Sequence, residues 1–451
     1  MRRSERRSHY LLVSTPIYGH VAPMLTIGRG LVARGHRVTL LSGRKYRNAV
    51  EAADLTFLPL PAEVDYDDAA LDSWLPDRDR YRGLASGRYD IIGMFVRPLA
   101  AQHRVFEQAL ETDDYDAVLC ETAFLGVLPT LLTVPTGDRI PIFGVSVTPL
   151  SLTSVDCAPF GSGLDPGHTP HTRRRNRLLN TVLHRGPLRP IQTALDQALA
   201  DVGAPPATAG YFDQATMFDL TYQLAVPGIE YPRREMPATI QLIGPLWPDI
   251  ARDSVLPLWW ADLYGSRPVV HVTQGTMDNV DLAKVLAPTL RGLAREDVLV
   301  VASTGGQPVR RLVDLLGTLP DNARLAEFLP YDRLLPLTDL VVTNGGFGGV
   351  QQALSHGVPL VVAGATEDKP EVAARVAWSG SGVNLRTGSP SAGRVRGAVR
   401  TVLGDPRYRV AAQGLQRQIL EHGNPLDTII AGLESLPTTE EAVALVDRAS
   451  A

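Results

Sequence analysis

Cysteine and lysine are scarce in this 451-residue chain. Cys120 and Cys157 are its only cysteines, too few for a disulfide framework or a cysteine-based metal site. The lysines are Lys45, Lys284 and Lys369, and arginine carries the rest of the positive charge. With abundant Ala, Gly and Pro, this reads as compositional bias and not as adaptation. A large excess of either charge is also missing. The 44 basic and 48 acidic residues leave a net charge of −4, which argues against nucleic acid or an anionic membrane as the main partner. No apolar run approaches the roughly 18 residues that would suggest a membrane span. Arg2, Arg3, Arg6 and Arg7 resemble the start of a signal, but Pro16, Gly19, His20 and Pro23 break the apolar stretch that follows. A cytoplasmic location without membrane insertion is therefore expected. Finally, no Gly-x-Gly-x-x-Gly follows the first strand, which removes a nicotinamide dehydrogenase.

What is present is ordinary globular composition, 44% hydrophobic and 20% charged. The length predicts two domains. Residues 10–14 read as a strand, 16–21 as a turn, and 38–41 as the next strand. Met24, Ile27, Leu31 and Val32 recur at helical spacing between them, with Pro23 at the first helical position and Gly35 as the stop. This β-α-β unit opens a doubly wound α/β domain. Residues 61–88 read as a polar surface excursion. Further strands are expected at 116–120 and 142–148. Residues 151–176 read as a second long loop, with Arg173-Arg174-Arg175 on a solvated face. The boundary falls near Gly244-Pro245-Leu246-Trp247-Pro248, giving domains at 1–246 and 256–430. In the second, strands are expected at 268–273, 298–302, 323–328, 340–343 and 360–363, with a helix at 281–294. A helix within residues 431–451, chiefly 438–449, closes the chain.

The most informative stretch is Leu340-Val341-Val342-Thr343-Asn344-Gly345-Gly346-Phe347-Gly348-Gly349. A buried strand runs into four glycines within five residues, and a short helix at 350–356 follows, stopped by Gly357. Backbone N–H groups at the mouth of such a helix suit a phosphate, although a glycine turn that merely packs helix on sheet has the same sequence.

The wider stretch resembles the donor-binding signature of the family 1, nucleotide-sugar-dependent glycosyltransferases. That signature runs Trp-x-Pro-Gln, Thr-His-x-Gly-Trp-Asn-Ser with a later Glu, Gly-Val-Pro and Asp-Gln-Pro. Here it becomes Phe328-Leu329-Pro330-Tyr331, the Thr343–Gly349 run with Gln352, Gly357-Val358-Pro359, and Asp368-Lys369-Pro370. The resemblance implies a GT-B fold, two doubly wound Rossmann-like domains facing a cleft, with the last helix returning to the first domain. It also implies a donor site of Gly275, Thr276, Phe328, Leu329, Asn344, Gly346, Gly348, Gly349, Gln352, Asp368 and Lys369. In this scheme Phe328 stacks on the base, the backbone of Leu329 meets the base edge, and Gln352 holds ribose. Gly275, Thr276, Asn344 and the glycine amides face the diphosphate, and Asp368 holds sugar hydroxyls. Lys369 pairs either with the diphosphate or sugar, or with Glu367 or Glu371 on the surface.

By the same resemblance, His20 in Tyr18-Gly19-His20-Val21-Ala22-Pro23 is the catalytic base. Glu121, where the family has Asp, is the carboxylate behind it. A helix N-terminus is expected to help keep His20 neutral. No metal and no cofactor is implied. The implied reaction is an inverting transfer from a UDP- or dTDP-sugar to a small apolar natural-product aglycone, and a homodimer is compatible with it. A second reading, a non-catalytic protein of the same fold that activates a partner transferase, is motivated by Glu121, Asn344 and Lys369. Retention of His20 speaks against it.

Overall fold

The computed structural model describes residues 7–246, 255–276 and 279–436. Two parallel sheets account for its architecture. The first runs through β1 (His9–Val13), β2 (Arg37–Ser42), β3 (Thr56–Pro59), β4 (Ala117–Glu121), β5 (Ile142–Ser146), β6 (Leu220–Gln223) and β7 (Ile240–Leu242), in the order β3-β2-β1-β4-β5-β6-β7. The second contains β8 (Val269–Thr273), β9 (Leu299–Ser303), β10 (Ala323–Ala326), β11 (Leu340–Thr343), β12 (Leu360–Val362) and β13 (Gly382–Asn384), ordered β10-β9-β8-β11-β12-β13. Strands such as β1, β4, β8 and β11 are buried along their whole length, as strands covered by helices on both faces must be. Sheet order reverses between β1 and β4 and again between β8 and β11. Ligands of doubly wound sheets bind in the crevice outside such switch points, and every candidate reacting group follows one of these four strands or faces their ends.

The first helix, Tyr18–Ala33, starts five residues before Pro23. The expected placement of Pro23 at its first position is thus corrected. The segment 16–21 is only partly a turn, because an acceptor from elsewhere in the chain supports the helix start. Gly35 (φ +90°) and Gly357 (φ +66°) adopt the left-handed conformation that a helix stop uses.

Three long-segment expectations are also corrected. Residues 61–88 are not a simple surface excursion: they carry Tyr66, Leu71 and Leu75 into a buried cluster with Ile17 and Met94, and Val64 into another with Leu60 and Phe106. Alternation of such residues with charge hid them. The loop expected at 151–176 ends in the helix Pro170–Arg185, capped by the Thr169 hydroxyl. Its Arg173 lies 2.7 Å from the buried carboxylate of Asp156, holding that acid down at about 2 against the opposing effect of burial. In place of a helix at 281–294 there is a shorter one, Leu286–Leu293. The side-chain oxygen of Gln274 accepts N–H groups from Val285 and Leu286, both at 3.0 Å, and so fixes where it begins.

After the second sheet, Pro406–His422 packs against it through Ala412, Leu415 and Ile419. Pro425–Glu434 then joins the core of the first sheet through Ile429, Ile430 and Leu433. Two glycines allow this approach. A Cβ at Gly30 would stand 2.4 Å from Leu426, and one at Gly432 would stand 2.2 Å from the Tyr222 hydroxyl. The expected 438–449 helix lies outside the described residues, as does most of the linker expected after Leu246.

Between the two sheets sits a buried charge cluster. Arg375 donates to Glu230 (2.7 Å) and Glu371 (2.8 Å), and Arg233 reaches Glu230 at 3.1 Å. The second oxygen of Glu371 accepts N–H groups from Gly161 and Gly163, both at 2.9 Å. The loop after β5 is thus tied to the helix Lys369–Trp378. Removing one member of so enclosed a set would cost on the order of 3–5 kcal/mol, because a charge would be left unpaired.

Candidate active site

His20 is the third residue of the helix that follows β1, and Glu121 is the last residue of β4. Parallel pairing of β1 with β4, with Val13 opposite Cys120, puts both at one end of the sheet. His20 Nδ1 lies 2.9 Å from Glu121 Oε2, an ion-pair contact that is not an in-line hydrogen bond. The Thr15 hydroxyl donates to the same oxygen at 3.0 Å, and the Ala123 N–H donates to Oε1 at 2.8 Å. Glu121 is 1% exposed, so these donors compensate for water it cannot reach.

The expected electrostatic effect on His20 is reversed. Burial works against the imidazolium. The charge and contact of Glu121, aided by Asp368 and Asp68, more than offset this and leave the His20 pKa above its ordinary value. Three nearby carboxylates outweigh one helix terminus, whose influence amounts to about half a charge. The ring of Phe95, in the π-helical turn Ile92–Val96, stands 6.1 Å from that of His20. Tyr66, stacked on Trp74 at 5.2 Å, belongs to the same wall.

On the other side of the cleft, Thr273 and Thr343 face each other in register at the ends of β8 and β11. Each hydroxyl accepts the N–H of the second residue onward, Gly275 at 3.1 Å and Gly345 at 3.2 Å. Both glycines have positive φ (+67° and +92°), a backbone state that side-chain-bearing residues rarely adopt. The Asn344 amide donates to the Gln274 carbonyl, joining the two loops. That use of one N–H was not foreseen, and an amide has a second to offer a phosphate oxygen. Thr276 is exposed beside Gly275.

The glycine loop is shorter than expected. The helix begins at Phe347, so Gly346 is its N-cap and Gly348 and Gly349 lie in its first turn, not in a loop. Both are exposed, and nothing stands within 4 Å of where their Cβ atoms would be. First-turn N–H groups lack intrahelical partners and carry the positive end of the helix dipole. Gln352 is half-buried one turn further on.

Phe328 is 68% exposed, which sets aside a core role. Its ring covers the backbone of Gly306 (φ +91°), where a Cβ would come within 2.9 Å of it. Leu329 is buried beside Trp260 and Leu334. Asp368 is half-buried and close enough for its charge to act on His20. Burial raises its own pKa, with Lys369 opposing and Glu367 adding to the rise. Lys369 is 3% exposed and its ammonium contacts the Glu367 carboxylate. The ion pair is therefore part-buried, with its lysine enclosed and its carboxylate open to solvent, and is made with Glu367, because Arg375 and the 161–163 amides already hold Glu371. Gly364 must be glycine, since a Cβ there would lie 2.1 Å from the Asn344 carbonyl. A cavity of about 210 Å³ opens beside these loops, lined among others by Gln274, Asn344, Gly364 and Thr366.

Sequence reasoning missed Asp68, Thr15, Gln274, Gly364 and Phe95. Thr15, Gln274 and Gly364 had a visible signal, each directly following the end of an expected strand. The sequence offers no reason for Asp68 to lie beside residues fifty positions away.

Comparisons with known proteins agree with this geometry. Residues 290–436 match the family model described as erythromycin biosynthesis protein CIII-like, C-terminal domain. The 4'-demethylrebeccamycin synthase of Lentzea aerocolonigenes is 37% identical across 93% of this chain and 97% of its own length. The UDP-glycosyltransferase 2 of Phaeomoniella chlamydospora is 36% identical across 96% of each chain. Among solved structures, the calicheamicin glycosyltransferase CalG4 superposes with a TM-score of 0.68 at 21% identity, covering 94% of this chain and 98% of that one. This chain belongs to the nucleotide-sugar-dependent glycosyltransferases of family 1 type and GT-B fold.

Proposed function

We propose that the protein transfers a sugar from a UDP- or dTDP-sugar to a hydroxyl of a small, largely apolar aglycone, with inversion and without a metal or cofactor. His20 is the general base. The observation that carries this reading is the buried His20–Glu121 pair, directed across the cleft toward Asp368 and the donor loops. With Nδ1 turned to Glu121, Nε2 is left for the acceptor. It takes the hydroxyl proton as that oxygen bonds to the anomeric carbon, and the bond from carbon to diphosphate oxygen breaks on the opposite face. Glu121 stabilises the imidazolium that forms. The departing diphosphate gathers charge where the amides of Gly275, Gly348 and Gly349 and the helix dipole can stabilise it. The aromatic wall of Phe95, Tyr66 and Trp74 favours an apolar acceptor. Both donor classes stay open, since one relative is named for UDP and a solved neighbour, VinC, is a complex with dTDP.

His20→Ala tests the reading. Transfer is expected to fall by about 10²–10⁴-fold, while calorimetric affinity for UDP or dTDP, with GDP as control, stays at the wild-type value. Full activity in the variant would refute the base assignment.

A further inference from the structure

Asp68 holds the base from behind. The helix carrying His20 begins at Tyr18 with no help from its own N-cap, Ile17, whose side chain cannot accept a hydrogen bond. The Tyr18 N–H instead donates to Asp68 Oδ2 at 2.7 Å, an acceptor supplied from fifty residues away. The Tyr46 hydroxyl donates to the same oxygen at 3.1 Å, and the Lys45 ammonium contacts Oδ1. The Asp68 side chain is 3% exposed. It thus has fixed partners on both oxygens and a single orientation. It also sits on the segment that bears Tyr66 and Trp74, so one carboxylate ties the acceptor wall to the turn that presents His20.

We propose that Asp68 is a positioning residue for His20, fixing the first helical turn through Tyr18 and favouring the imidazolium through its negative charge. This rests on the reading of His20 as the base. Glu121, Asp368 and Asp68 face His20, with Tyr66 and Tyr211 beside Glu121. Lys45, Asp67, Tyr46 and Tyr66 surround Asp68. Lys45 offsets part of the charge of Asp68, whose raising effect on His20 is smaller than those of Glu121 and Asp368.

Two variants separate the parts. Asp68→Asn keeps an oxygen for the Tyr18 N–H and removes the charge, whereas Asp68→Ala removes both. The His20 titration is followed by NMR of ¹³C-histidine-labelled full-length protein, with His20→Gln identifying the resonance and circular dichroism checking the fold. The expected result is a lower His20 midpoint in Asp68→Asn. In Asp68→Ala the same fall is accompanied by a kcat loss of about tenfold or more, with donor KM unchanged, in assays with UDP-glucose or dTDP-glucose. An unchanged His20 midpoint in folded Asp68→Asn would overturn the proposal, as would a kcat in Asp68→Ala equal to that of wild type. The titration needs no substrate. If the wild-type protein transfers no sugar, the functional reading fails while the titration still decides the electrostatic role of Asp68.

Discussion

Replacing Glu121 with Gln is the most discriminating change in the base pair, because the surrounding donors dictate how the amide must sit. The Ala123 N–H, 2.8 Å from Oε1, can only donate. The Gln carbonyl must therefore take that place, and its NH₂ falls where Oε2 now meets the Thr15 hydroxyl at 3.0 Å and His20 Nδ1 at 2.9 Å. Thr15 can rotate to accept. His20 can accept only by giving up its Nδ1 proton and carrying the proton on Nε2, which is the wrong tautomer for a base aimed at the acceptor. The variant is isosteric and the Ala123 N–H and Thr15 hydroxyl both keep a partner, so little stability should be lost. Activity should fall by the value of general-base catalysis, about 10²–10⁴-fold, or roughly 3–5 kcal/mol in the barrier. The assay is the pH dependence of kcat/KM. In the wild type the raised His20 pKa moves the rising limb to higher pH than an ordinary histidine would give, since a base must be unprotonated to act. Removing the main charge that raises it shifts the limb to lower pH. A Glu121→Gln enzyme within about threefold of wild type, with an unmoved limb, would refute the tautomer argument.

Two further outcomes follow from single positions. Phe328→Ala should weaken UDP or dTDP binding by about 0.5–1.5 kcal/mol in titration calorimetry and leave the melting temperature unchanged, because the ring is exposed; unaltered affinity would remove it from the donor site. His271 is fully buried, 2.9 Å from both the Val301 carbonyl and the Tyr331 hydroxyl, and burial lowers its pKa to about 4. A depressed pKa means that the unfolded chain binds the proton first. Stability from this group is therefore complete above about pH 6.5 and is lost progressively toward pH 4, by roughly 3 kcal/mol in all at about 1.4 kcal/mol per pH unit. Urea midpoints at pH 7 and pH 5 measure it, and a wild-type difference no larger than that of His271→Gln would contradict it.

What the sequence made legible follows local rules. β11 and its glycines could be read because a buried parallel strand is apolar throughout and its exit needs backbone freedom. His20 and Glu121 stand out through the family resemblance and not through local pattern, since a lone turn histidine and a strand-end carboxylate say little by themselves; the fold brings the two within 2.9 Å. Start positions failed where a distant side chain decides them. The first helix begins at Tyr18 because Asp68 accepts its N–H, and the Leu286–Leu293 helix begins late because Gln274 holds its first amides. The interleaved charges of residues 61–88 concealed an apolar set that becomes a wall only when folded against Ile17 and Met94.

The sign of the His20 shift shows why electrostatics is the least legible level. A turn histidine at a helix start, considered alone, should lose affinity for its proton, and burial acts in the same direction. The folded chain overturns both by collecting carboxylates from three separate places: a strand end, a long connection and the opposite domain. Their Coulomb terms fall with distance and grow as water is excluded, so none has a fixed value in the sequence. Asp368 belongs to the unit that carries the donor loops, so its share acts on His20 only while the two units face each other. The proton affinity of His20 is in that sense a property of the assembled cleft: opening it would remove the raising effect of Asp368 and at the same time relieve the burial that opposes the imidazolium, leaving Glu121 and Asp68 as the charges that face it.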